Sequence, residues 1–107
     1  MSNQLLLVTG AADFGVLGLL HLAYTFFTRK FDPYDASVAD AMRNTSPRIS
    51  RQTTMWRAWI GFNASHSLGA IVFAAMVVVL AARRMDVIVD APVFAWIAAG
   101  NGLAYLA

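Results

Sequence analysis

The chain has 107 residues, 59% hydrophobic and only 13% charged, against roughly 45–50% and about 25% in ordinary soluble domains. That composition excludes intrinsic disorder and argues against a water-soluble monomer. Cysteine is absent, which removes disulfide scaffolds and thiolate chemistry, and a net charge of +2 is too small to point to nucleic acid.

Three segments are apolar enough for hydrocarbon, where a spanning helix needs roughly 20 residues. The first covers about 5–28 and holds one charge, Asp13. No basic residue precedes Arg29 and the apolar run is too long for a cleaved leader, so it reads as a retained spanning helix. A loop over about 29–55 follows, carrying Arg29, Lys30, Arg43, Arg48 and Arg51 against Asp32, Asp35 and Asp40. Within it, between Pro33 and Pro47, residues 35–44 are expected to form a short surface helix capped by Asp35, with Val38, Ala41 and Met42 on one face. The second span, about 56–82, is the clearest, closing with IVFAAMVVVLAA. The third starts near Val87 and runs to Ala107, with Asp90 ahead of Pro92 as a first-turn acid.

The fold class expected is therefore all-α, a polytopic membrane helical bundle with three spans in a single domain. Lysine and arginine collect in the long loop, while the second loop offers only Arg83 and Arg84. The loop is expected on the cytoplasmic side of a bacterial inner membrane, with the N-terminus outside. Trp56, Trp59, Tyr24, Phe26 and Phe27 would mark the inner boundary.

Polar side chains inside such spans should face other helices or a wet cavity. Asn63, His66, Ser67 and Ala70 fall at i, i+3, i+4 and i+7, one helix face, extended by Trp59 and Ala74, with Val72, Met76 and Val79 opposite. At about 1.5 Å per residue, His21 and Asn63 lie roughly 10 Å from the inner boundary and His66 about 15 Å, with Asn101 at a similar level. The four side chains are expected to share one layer, either as interhelical hydrogen bonds or as a small-molecule or proton site.

Two histidines on neighbouring helices also raise haem or chlorophyll-type pigment, or a metal held by His21 and His66. The signal is thin. No C-x-x-C-H motif is present, Leu17 and Phe62 stand where an antenna-type alanine would precede each histidine, and zinc wants three or four ligands. Asp13, with Gly10 at i−3, reads equally as a proton-relay carboxyl or a helix contact, and as a polar first turn if the helix starts later. Asn101 and Tyr105 continue the Asp90 face, and neither a catalytic triad nor a phosphate-binding glycine loop can be assembled.

The segment TTMWRAWIGFNASHSLG, Thr53 to Gly69, resembles an uncharacterised family of small bacterial membrane proteins with about four spans. The likeness extends more loosely to His21, Phe26, Phe27 and the Met42 to Arg51 stretch. It implies relatives that continue into a fourth span, and it implies no reaction. The expectation is a non-enzymatic membrane protein: an accessory or assembly subunit in the bilayer, packed on a larger complex or on its own copies. The alternative is a binding protein using the His21, Asn63 and His66 layer.

Overall fold

Long apolar runs free of proline leave the backbone no better option than internal hydrogen bonding, and the first two segments fold as unbroken helices. The computed structural model describes residues 2–106, and every element it forms there is helical. Helix α1 is Asn3–Phe27, α2 is Ala36–Asn44, α3 is Met55–Arg83, α4 is Met85–Asp90 and α5 is Val93–Leu106. Helices α1 and α3 are long and apolar enough to cross a membrane, and α5 is a shorter apolar helix.

The expected third segment is not one helix. It divides at Ala91 and Pro92 into α4 and α5. Proline has no N–H to donate and disfavours helical backbone in the residue before it. Ala91 accordingly sits at φ −129 and ψ 82. Asp90 therefore closes α4, and the first turn of α5 has no acidic residue, contrary to the first-turn role expected for it. At about 1.5 Å per residue, the 14 residues of α5 extend roughly 21 Å, short of a hydrocarbon core about 30 Å thick.

The chain divides into two compact units, Val16–Ile71 and Met1–Gly15 with Val72–Ala107. Within Val16–Ile71, the second half of α1 runs antiparallel to the first half of α3 at very close range. A β-carbon on Gly18 would stand 3.1 Å from the Ala70 methyl, 3.1 Å from Ile71 Cγ1 and 3.2 Å from the Ser67 carbonyl oxygen. The buried positions of α3 in this unit, Asn63, Ser67 and Ala70, repeat at spacings of four and three, the seam of coiled-coil packing, filled with small side chains.

Helix α2 begins where expected. Asp35 takes the N-cap position and accepts the Ser37 N–H at 2.8 Å and its hydroxyl at 2.7 Å. The face it buries differs from the expected one, because Ala39 is buried while Val38 and Ala41 are exposed and Met42 half-buried. The rest of the loop is pinned at its base. The Met55 N–H donates to the Thr45 carbonyl at 2.8 Å, and the Arg43 guanidinium lies 4.1 Å over the Trp56 ring.

In the other unit, the Gln4 amide nitrogen donates to the Ala81 carbonyl at 2.8 Å, so the start of α1 lies by the end of α3. A β-carbon on Gly15 would stand 3.1 Å from the Ala74 methyl. Phe14 meets Phe73 at 5.8 Å and Tyr105 at 5.0 Å, both edge-on, which ties α5 to the two longer helices. A crevice of about 240 Å³ lies beside them, lined by Leu7, Phe73, Val77, Leu80, Phe94 and Ala98. Val72, Met76 and Val79 point outward, the side expected to face lipid. Arg84, at the N-cap of α4, pairs at 2.9 Å with Asp86 in its first turn, and the arginine's hydrogen bonds hold the aspartate below the ordinary carboxylate range.

Gly18→Leu should overpack the α1/α3 contact, a class of change that costs about 1–3 kcal/mol. A lowered thermal unfolding midpoint in detergent would show it. Gly61→Ala, with nothing within 4 Å of the new methyl, should leave that midpoint unchanged. Asp35 is also held below the ordinary carboxylate range, by its hydrogen bonds to Ser37. Because its folded value is depressed, the cap's contribution is present above the ordinary range and is lost as pH falls through the folded value. Amide exchange at Ser37 should accordingly accelerate in acid, relative to unstructured amides at the same pH.

Candidate functional site

The polar stripe on α3 meets α1 within Val16–Ile71. Asn63, 2% exposed, sits one turn after Trp59 and donates its Nδ2–H to the Trp59 carbonyl at 2.9 Å. That bond fixes which way the amide faces. Its oxygen is left toward α1, where His21 Nε2 lies at 3.0 Å. An amide oxygen only accepts, so His21 must carry a proton on Nε2.

Above this pair the chain folds back over the helix ends. Arg29 pairs with Asp32 at 3.1 Å and the Asp32 N–H reaches the Arg29 carbonyl at 3.1 Å, a turn that carries Phe31 over α1. The Phe31 ring stacks on His21 at 4.3 Å and 30°, and its carbonyl accepts the Trp59 indole N–H at 3.0 Å. His21 therefore donates to Asn63, Asn63 to the Trp59 carbonyl, and the Trp59 indole to the Phe31 carbonyl, in one connected network. His66 completes it at the side, 5.4 Å from the His21 ring and stacked on Phe62 at 5.5 Å.

His21, Asn63 and His66 thus come together as expected. Ser67, expected to bond between helices, instead donates to the Asn63 carbonyl of its own helix at 2.7 Å, completely buried. A short hydroxyl in a helix reaches the carbonyl one turn back more easily than a neighbouring helix. Thr25 does the same, donating to the His21 carbonyl at 2.8 Å. Ala70 is the surface against which Gly18 packs. Asn101 belongs to the other unit, where its Nδ2 is buried without an acceptor among the described residues. Asp13 lies mid-helix in α1 and exposed, so a polar first turn is excluded.

Phe31 is the residue that sequence reasoning missed. Its signal was faint: a lone aromatic between Lys30 and Asp32, in a stretch whose charges mark it as loop. Gly15 and Gly18 were visible too, and their closeness to Ala74 and Ala70 is what small residues in facing helices permit.

His21 Nε2 is engaged by Asn63 and not open to a haem or pigment. The outer nitrogen of His21 presents an N–H to Asn63, where ligation needs a lone pair, and Phe31 covers the ring. Among the described residues no three His, Asp or Glu side chains come together as a metal site requires. This geometry joins two helices through a part-buried hydrogen-bond network. No family model, curated protein or solved structure matches the chain.

Asn63→Leu should strip the acceptor from His21 and the donor from the Trp59 carbonyl. The cost expected is about 1–3 kcal/mol for the imidazole N–H left without its acceptor, the Trp59 carbonyl keeping its helical backbone bond, and it would be read as a lower unfolding midpoint in detergent. A long-range ¹H–¹⁵N spectrum of the histidines should show His21 with its proton on Nε2, and that signature should disappear in the same variant.

Proposed function

We propose that the chain is a non-enzymatic integral membrane protein, an accessory or assembly subunit packed against a larger membrane complex. Helices α1 and α3 cross the bilayer, α5 lies in hydrocarbon with them, and the loop between α1 and α3 faces the cytoplasm of a bacterial cell. Its basic residues favour that side, since lysine and arginine near span ends set orientation. Trp56 and Trp59, at the start of α3, suit the headgroup level.

The observation that carries this reading is the contrast between inside and outside. Inside, the buried apolar residues are Ala11, Ala39, Ala70, Ala74 and Ala81, and the polar layer is spent on joining α1 to α3. Outside stand Leu17, Phe27, Met76, Trp96, Ile97 and Leu103, each more than half exposed. Such a surface suits lipid and neighbouring helices. The alternative, a proton or small-molecule site at His21, Asn63 and His66, is weakened by the internal satisfaction of His21.

Purification from native membranes in mild detergent tests the reading. The chain should elute with a mass well above its own. A monodisperse monomer without any associated chain overturns the proposal.

A further inference from the structure

The side chain of Asp13 sits about ten residues into α1, roughly 15 Å from the helix start at about 1.5 Å per residue. It is exposed, with no hydrogen bond or ion pair among the described residues. Leu6, Thr9 and Gly10 share its face and are exposed as well. At Gly10 a β-carbon would meet nothing within 4 Å, in contrast to Gly15, whose side of α1 packs against Ala74. The face is thus exposed at Asp13, and one turn earlier Gly10 leaves a notch at the mouth of a crevice that Leu6 and Gly10 share with Phe73 and Ala98. A carboxyl at the middle of a span is costly in lipid and calls for a partner of opposite charge or a strong donor.

The long helices described for this chain do not supply that cation in a second copy. Helices α1 and α5 contain no lysine or arginine, and those of α3, Arg57 and Arg83, lie at its two ends. A second copy lying parallel would bring another aspartate to the same depth. We propose that the Leu6, Gly10 and Asp13 face of α1 docks a spanning helix of a different protein, one that carries a lysine or arginine at the depth of Asp13. Gly10 admits the partner's aliphatic stem or backbone, and Asp13 accepts the charged head. The assignment rests on the accessory-subunit reading and gives that subunit its contact.

The test uses the full chain in bacterial inner membranes, with a co-expressed leucine-based spanning helix as probe. One probe has a central lysine, a second has the lysine two turns nearer one end, and a third has leucine throughout. Energy transfer between tagged chains should be at least tenfold above the all-leucine level for the central lysine alone. Asp13→Leu should reduce it to that level, Asp13→Asn should give an intermediate value, and Gly10→Leu should lower it. Both Asp13 variants should unfold at the wild-type temperature in detergent, since the Asp13 carboxyl makes no hydrogen bond or ion pair among the described residues. Equal transfer to the all-leucine helix, full transfer by Asp13→Leu, or transfer between wild-type copies that depends on Asp13 would each overturn the docking. In native membranes the arms separate. A wild-type assembly that keeps its mass in Asp13→Leu overturns the docking face and leaves the accessory reading standing. A wild-type chain that runs alone overturns the accessory reading, and the probe still decides the face.

Discussion

Where Gly18 meets Ala70, the two helices approach until a single added carbon would stand 3.1 Å from the alanine methyl and 3.2 Å from a backbone oxygen. That distance sets the rest of the Val16–Ile71 unit. One turn further along α1, it leaves His21 within 3.0 Å of the Asn63 amide oxygen, which a wider spacing would replace with a gap. The buried amide then needs its other half satisfied, and the Trp59 carbonyl one turn away serves. With Trp59 held, its indole N–H finds the Phe31 carbonyl, and the loop is drawn down over the helix ends.

The core obtained this way is unlike that of a water-soluble domain. Ser67 is the largest side chain completely buried among the described residues, and the apolar interior is alanine. Burial of large side chains, the main source of stability in water, contributes little. In lipid that source is absent anyway, and close van der Waals contact with a few interhelical hydrogen bonds takes its place. Small residues on the seam, large ones outside and one amide–imidazole bond form a consistent set for that solvent.

The sequence allowed much of this to be foreseen, for identifiable reasons. Uninterrupted apolar runs specified α1 and α3 to within two residues at each end, because nothing in them competes with helix. The Asp35 cap was legible because its mechanism is local, involving a residue two positions on. The polar stripe was legible from spacing alone. What escaped depended on distance rather than pattern. The hydroxyl of Ser67 could bond within its helix or across, and the sequence pattern does not choose between them. Phe31 required the path of a loop. Pro92 carried the break between α4 and α5 in plain sight, but apolar residues on both sides suggested continuity.

The backbone bond from Met55 to Thr45 has an evolutionary side. It joins the two ends of a segment in which Ile49 is 93% exposed, so the helices on either side register the closure and not the path between. Entropy penalises a longer excursion there only slowly, by about 0.6 kcal/mol for each doubling of length. The stretch from 46 to 54 is therefore where this chain can gain residues, and with them new recognition, while the paired helices keep their spacing.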